Sequence, residues 1–315
     1  DTLLSLFSKA NNEIGIEYML DFSYINVNNS YNNKTPLEYC INNKNEHASI
    51  LLLKTDKIDF SHKQNDDNET YIHLSCRYGL SKVVEYLLQK NLFDINEKTS
   101  EGIRPIHLAC KSGNFDTVQM IVQEKKKAIK INGRVTKGEY KGFTPLHFAC
   151  LSGNPEIVSL LLENYKADVN IKDGTKKWTS LQYAVFNGHT DVVSILLEQP
   201  GIDTEVLTKE NETLLHLACM SNNEDIVDCL INNSDIPKKF DLNGRTSNGR
   251  TPLQIALSHG NAAMISVLLN IDNKKKKKGN KEQSDIDPNL LTGNGQAPLI
   301  LACEMKRLDI FTLFL

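Results

Sequence analysis

Thr144-Pro145-Leu146-His147-Phe148-Ala149-Cys150 is one copy of a short phrase that decides the fold of this chain. Close copies occupy residues 70–76, 104–110, 213–219 and 297–303, and weaker copies begin at residues 2, 35, 179 and 251. Successive copies begin 33, 35, 34, 40, 35, 34, 38 and 46 residues apart. A period of this length is typical of a solenoid, in which each repeat buries its apolar face only by stacking on the next.

The phrase predicts the start of a helix. The hydroxyl of Thr144 can accept a hydrogen bond from an amide of the first turn that has no partner within the helix. Pro145 then takes the first helical position, where a missing N–H costs nothing. We expect Leu146, Phe148 and Ala149 to point into the stack.

A residue nine positions after the start of the phrase predicts the end of that helix. Glycine ends a helix in the left-handed conformation at little cost, and asparagine does so less readily. The residues at this position include Gly79, Gly113, Gly153, Gly188, Asn222 and Gly260. Apolar pairs three and four residues apart then predict a second helix, as in Ile157-Val158 followed by Leu161-Leu162.

These motifs resemble the ankyrin repeat, and the resemblance covers nearly the whole chain. It implies an all-α ankyrin-repeat solenoid of about nine helix-turn-helix repeats with β-hairpin fingers. Residues 1–315 would form a single domain, with repeats beginning near 2, 35, 70, 104, 144, 179, 213, 251 and 297. We expect the first repeat to be a degenerate N-terminal cap, the last repeat to be truncated, and the chain to be a fragment of a longer array.

Composition excludes several classes of function. The net charge is −3, which argues against a nucleic-acid binder driven by phosphate contacts. No run approaches the roughly 20 apolar residues that span a bilayer, so we expect no transmembrane segment. The phosphate-loop, zinc-protease and serine-hydrolase signatures are all missing from the sequence, so we expect no enzyme and no cofactor.

Cysteine and histidine recur at fixed positions of the phrase. Cys76, Cys110, Cys150, Cys219 and Cys303 all occupy the seventh position. Equivalent residues on stacked helices lie roughly 8–10 Å apart, whereas the Cα atoms of a disulfide lie within about 7 Å. We therefore expect buried free thiols, a reducing compartment and a cytoplasmic protein.

The fourth position of the phrase is histidine in four copies, which are His73, His107, His147 and His216. The resemblance implies that this histidine forms hydrogen bonds between neighbouring repeats. Because the residue recurs once in each of these repeats, a metal cluster is not expected.

The resemblance also indicates where a partner would bind. In ankyrin arrays, the residue before the phrase and those just after it face the concave side. These positions are apolar in the middle of the chain. They predict a stripe of partner-binding residues formed by Ile103, Phe143, Leu151, Trp178, Phe186 and Met220, which Tyr78 extends. An exposed apolar patch with a polar rim indicates a binding site. The alternative is that these side chains pack on neighbouring fingers and only stiffen the array.

Three longer connections, at residues 125–141, 234–250 and 272–295, carry the remaining candidate. The longest connection contains the lysine run from Lys274 to Lys278. This run is a candidate contact for a membrane or an acidic partner. The alternative is a solvated loop, because acidic residues follow the run closely.

These observations predict a non-catalytic protein–protein interaction module that binds a protein partner through its concave face and hairpin fingers. One alternative is a cytosolic regulatory or assembly segment of a larger channel or enzyme. Another is a microbial effector that acts in a host cell. The fold alone does not distinguish these functions.

Overall fold

The structure is a computed structural model that describes residues 3–61, 67–91, 93–124, 128–232, 241–269, 286–291, 293, 295–304 and 306–314. The regular secondary structure of these residues is helical. The chain divides into two compact units, Asp1–Ala167 and Asp168–Leu315.

Among its described residues, the first unit contains ten helices and a closing π-helical turn at Leu160–Asn164. The helices are α1 Leu3–Lys9, α2 Glu13–Leu20, α3 Pro36–Asn42, α4 Glu46–Leu53, α5 Tyr71–Arg77, α6 Ser81–Gln89, α7 Pro105–Ser112, α8 Phe115–Gln123, α9 Pro145–Ser152 and α10 Pro155–Ser159. Odd-numbered helices pack on one another in one layer, and even-numbered helices pack in a second layer. Each odd–even pair is one helix-turn-helix repeat.

The second unit repeats this arrangement with eight helices among its described residues and ends in a 3-10 turn at Thr312–Phe314. The helices are α11 Ser180–Phe186, α12 Thr190–Leu197, α13 Leu214–Met220, α14 Glu224–Asn232, α15 Pro252–His259, α16 Ala262–Leu268, α17 Pro298–Glu304 and α18 Leu308–Phe311. The odd-numbered helix of each pair is hereafter the first helix of its repeat, and the even-numbered helix is the second.

First helices begin one residue after the first position of the phrase, as predicted, and this position is threonine in most repeats. At α3, the hydroxyl of Thr35 accepts from the Glu38 backbone N–H at 3.2 Å. The Glu38 carboxylate accepts in turn from the Thr35 backbone N–H at 3.2 Å. This reciprocal pair satisfies two donors at the helix terminus, and Pro36 occupies the first helical position.

The left-handed helix ends are also confirmed. Gly113, Gly153 and Gly260 have φ of 71°, 72° and 67°, and Asn222 has φ of 56°. The same conformation occurs at the equivalent residues Asn11, Lys44 and Lys306, where no glycine predicts it.

The segment between a second helix and the next first helix, which we call a finger, is a narrow turn. In the finger before α7, the backbone N–H of Thr99 donates to the carbonyl of Ile103 at 2.9 Å. No strand is assigned within the described ranges, and an isolated β-bridge joins Tyr31 to Lys34. The described fingers thus keep hairpin-like closure through a few backbone hydrogen bonds, without an assigned strand.

Asparagine side chains join successive repeats at the base of the fingers. Asn96 Nδ2 donates to the carbonyl of Ala128 at 3.0 Å, and Asn96 Oδ1 accepts from the backbone N–H of Lys130 at 3.1 Å. Asn170 makes the same pair of bonds, to the Gly201 carbonyl at 2.8 Å and from the Asp203 N–H at 2.9 Å. Each amide therefore satisfies one carbonyl and one N–H of the following loop.

The cysteines form no disulfide. Cys76, Cys110, Cys150 and Cys219 are buried, as predicted, but Cys303 is exposed. Cys303 lies on α17, in the last of the described repeats. Burial raises the pKa of Cys76 well above its usual value, so this thiol packs as a small apolar group.

Candidate functional site

The apolar site of the second unit is built around Trp178, which ends one finger. Its ring centroid lies 5.3 Å from that of Phe186 in an edge-to-face arrangement and 5.2 Å from that of Tyr183. Trp178 is only 6% exposed, whereas Phe186 is 40% exposed. The expectation that Trp178 would face solvent is therefore corrected. Trp178 packs beneath Phe186, and Phe186 presents the aromatic surface.

A lysine covers this aromatic group. The ammonium of Lys176 lies 4.4 Å from the Trp178 ring centroid and 5.7 Å from that of Phe186. A cation held over aromatic faces at this distance is attracted by the negative face of the ring. Sequence reasoning did not identify Lys176, because its contact depends on the path of the finger.

The finger that carries Trp178 is shaped by a buried carboxylate, which sequence reasoning also did not identify. Asp173 is 1% exposed. Its Oδ1 accepts from the backbone N–H of Lys176 at 2.8 Å, and its Oδ2 accepts from that of Trp178 at 3.1 Å. Burial acts to raise the pKa of Asp173, but hydrogen bonds from Tyr183, Thr175 and Trp178 outweigh it and hold the pKa below its usual value. The Asp-Gly pair at residues 173–174 is the sequence signal for this turn.

Met220 occupies the same position at the end of α13 that Phe186 occupies at the end of α11. Its side chain is half-buried. We call the surface formed by Phe186, Met220 and the fingertips of the second unit the finger face of that unit.

In the first unit, Phe143 is also more buried than predicted, at 3% exposed. Its ring centroid lies 5.3 Å from that of Tyr140, 5.2 Å from that of Phe148 and 5.2 Å from the imidazole of His147. Tyr140 belongs to the longest described finger of this unit and folds back over Phe143. The inserted residues thus bury an aromatic side chain that the repeat pattern would leave exposed.

Ile103 lines a cleft in the first unit, together with Tyr140 and Phe148. The ammonium of Lys111 lies 4.2 Å from the Tyr140 ring centroid. Arg77 also lines the cleft and forms an ion pair with Glu69, which is buried. The lining of the cleft therefore combines apolar side chains with charged side chains of both signs.

Tyr78 and Leu151 are half-buried at the ends of the first helices of their repeats. Neither lines the cleft that Ile103 lines. The structure brings Trp178 together with Phe186, and Phe143 together with Tyr140. That all the predicted residues form one binding stripe stays a prediction.

The recurring histidine connects repeats, as the resemblance implied. His107 Nδ1 accepts from the backbone N–H of Arg104 at 2.9 Å, so its Nε2 carries the proton and donates to the carbonyl of Gly133 at 2.8 Å. Burial lowers the pKa of His107 to about 4, so the ring is neutral near pH 7. Gln254 makes equivalent bonds, from the Thr251 N–H at 3.0 Å and to the Leu290 carbonyl at 2.6 Å.

Two other kinds of feature, a metal-ligand cluster and a membrane-spanning helix, are absent from the part of the chain that the structure describes. Within these residues, no three acidic, histidine or cysteine side chains are grouped as metal ligands. None of the helices described is long and apolar enough to cross a bilayer. The lysine run Lys274–Lys278 lies outside the described residues.

Comparisons with known proteins agree with this architecture. A family profile described as "Ankyrin repeats (3 copies)" matches residues 51–134, 127–206, 200–280 and 236–315. The crystal structure of the human ASB11 ankyrin repeat domain is similar, with a TM-score of 0.60 and 22% sequence identity. That alignment covers 78% of this chain and 97% of the ASB11 chain, and at this identity it shows the fold alone. A comparison with curated proteins gives no match.

Proposed function

Because the chain belongs to the ankyrin repeat family, whose members are generally protein–protein interaction modules, we propose that it is a non-catalytic module that binds a protein partner. Binding takes place through the fingers and the first helices. The predicted binding residues are Tyr78, Ile103, Phe143 and Leu151 in the first unit and Trp178, Phe186 and Met220 in the second.

The observation that carries this proposal is the exposure of Phe186. A large aromatic side chain that is 40% exposed gains free energy when a partner covers it. Phe186 rests against the buried Trp178 ring, so little side-chain freedom is lost when a partner binds. Aromatic side chains of this kind are enriched among the residues that dominate binding energy.

Trp178 and Phe143 contribute indirectly to this function. Both are buried, and each supports a residue nearer the surface: Phe186 in one case and Tyr140 in the other. We therefore propose that direct contacts are made by Phe186, Met220 and Ile103, while Trp178 and Phe143 hold the surface in shape.

We also propose a cytoplasmic location. Cys40, Cys76, Cys110, Cys150 and Cys219 are buried and form no disulfide. Thiols in this number without disulfides are typical of proteins from a reducing compartment.

The experiment is affinity capture from a lysate of the source organism with three baits: the unaltered chain, Phe186→Ala and Ile14→Ala. Ile14 is the matched control, because it is an exposed apolar residue at 80% but lies on the second helix α2. We expect a protein that is captured by the unaltered chain and Ile14→Ala but lost with Phe186→Ala. Equal capture by all three baits would contradict binding at Phe186.

A further inference from the structure

Three cations on the finger face of the second unit are exposed yet held in fixed positions. The first is Lys176, whose ammonium contacts the Trp178 and Phe186 rings at 4.4 and 5.7 Å. A lysine that has already lost rotamer freedom pays less entropy when it pairs with a carboxylate. Lys176 is thus preorganised for an anionic group that arrives next to Phe186.

The other two cations are fixed by backbone carbonyls of neighbouring fingers. Lys209 Nζ donates to the carbonyl of Thr175 at 2.8 Å. Arg245 Nη1 donates to the carbonyls of Gly249 at 3.0 Å and Leu291 at 2.8 Å. Both side chains are exposed and keep N–H groups for a further acceptor.

Hydrogen bonds hold these fingertips side by side. The Lys209 bond to Thr175 joins the first two fingers. Asn211 Nδ2 donates to the carbonyl of Arg245 at 2.7 Å, which joins the second finger to the third. Lys176, Lys209 and Arg245 therefore lie on three successive fingers.

Few carboxylates oppose these cations. Lys177, beside Lys176, and Arg250, at the end of the third finger, are further exposed cations. Glu210 is exposed, whereas Glu212 is half-buried and accepts from the Thr208 hydroxyl at 2.8 Å. The Asp173 carboxylate is buried and accepts hydrogen bonds from backbone N–H groups of its own turn. The solvent-facing charge of these fingertips is consequently positive, although the whole chain has a net charge of −3.

We propose that the finger face of the second unit binds an acidic protein segment. Its aspartate or glutamate side chains pair with Lys176, Lys209 and Arg245, and an apolar side chain packs on Phe186. This inference rests on the proposed function and names the chemistry of the partner. Complementary charge at such a surface favours the acidic partner and raises its association rate.

The test uses a phage-displayed library of random peptides, selected against the immobilised full chain. We expect the enriched peptides to carry an excess of Asp and Glu together with at least one large apolar residue. Their affinity is expected to fall roughly tenfold in the Lys176→Glu/Arg245→Glu variant. It is also expected to weaken as salt is raised above about 0.15 M, because mobile ions screen exposed charges.

The matched control is Lys54→Glu/Lys82→Glu, which changes the net charge equally but on the second-helix side of the first unit. Enriched peptides without an acidic excess, or equal loss of affinity in the control, would overturn the inference while leaving the protein-binding function standing. No enrichment over blank beads would overturn both.

Discussion

The hydroxyl of Tyr183 donates a 2.8 Å hydrogen bond to the carboxylate of Asp173, and both residues are buried. Tyr183 lies on α11 and Asp173 lies in the finger that precedes it, so this bond ties the fingertip to the first helix. The path of the finger places Lys176 over the Trp178 ring. The finger face of the second unit therefore depends on the path that this hydrogen bond holds.

Tyr183→Phe tests this connection. The variant leaves a buried carboxylate with one donor fewer, so we expect the free energy of unfolding to fall by about 2 kcal/mol, as for bonds to charged groups. The measurement is urea denaturation followed by Trp178 fluorescence.

Tyr39→Phe is the matched control, because Tyr39 occupies the same position of its repeat and donates to the neutral carbonyl of Tyr31 at 2.9 Å. We expect the free energy of unfolding to fall by only about 1 kcal/mol in Tyr39→Phe. Circular dichroism measures the denaturation of this variant. Equal losses in the two variants would contradict a special role for the Asp173 carboxylate.

Glu38→Gln tests a buried acid. Glu38 occupies the position that is His or Gln in six other repeats. It is 3% exposed, and burial raises its pKa to about 7. The folded state therefore holds the proton more tightly than the unfolded state. This contribution of Glu38 to the free energy of unfolding is fully present below about pH 4.5 and is lost as the pH rises through about 7.

Because Gln182 and Gln254 make both bonds of this position in their repeats, Gln at residue 38 should imitate the protonated acid. We expect Glu38→Gln to raise the free energy of unfolding at pH 8 by on the order of 2 kcal/mol and to change it little at pH 4.5. Urea denaturation at several pH values measures this. A gain that does not depend on pH would show that the ionisation of Glu38 is not the cause.

Arg104→Thr tests a buried guanidinium. Arg104 stands where most repeats have threonine, is 8% exposed, and its Nε and Nη1 have no hydrogen-bond partner among the described residues. Burying guanidinium N–H groups that have no acceptor is costly, whereas threonine restores the usual helix cap. We expect Arg104→Thr to stabilise the chain by about 1–2 kcal/mol, measured by thermal denaturation. The reciprocal change Thr144→Arg should destabilise it, and the opposite order of melting temperatures would contradict this account.

Lys177→Gly tests the turn at a fingertip. The residue two positions before the phrase has a positive φ in eight described fingers. It is Gly or Asn in seven of them, and in the eighth it is Lys177, with φ of 65°. Because this conformation costs an L-residue free energy and costs glycine little, we expect Lys177→Gly to stabilise the chain by about 1 kcal/mol. Lys172→Gly, an exposed lysine without positive φ, should have no such effect in the same denaturation assay.

The sequence was sufficient for the features that repeat. Thr35 and Pro36 have side chains that favour the start of a helix, and the glycines at the helix ends lack the Cβ that opposes the left-handed conformation. Lys44 and Lys306 adopt the same left-handed conformation, but nothing in a lysine side chain indicates it. The period alone places them there.

The candidate site was predicted less completely, because burial there depends on residues outside the phrase. The repeat pattern placed Trp178 and Phe143 on a solvent-facing position. In the structure, Lys176 covers Trp178 and Tyr140 packs against Phe143. Both covering residues lie in the fingers, outside the repeated phrase. Asp173 was likewise missed, because an acid in a polar turn is usually solvated.

Trp178 is the sole tryptophan of the chain and lies within the second unit, packed against Phe186 and Tyr183. Its emission is therefore a spectroscopic label of that unit, whereas far-ultraviolet circular dichroism averages over all the helices. Comparison of the two signals during denaturation measures the folding cooperativity of the array without any added dye. Coincident curves would mean that both units melt in a single transition, and an early change in emission would mean that the fingers around Trp178 melt first.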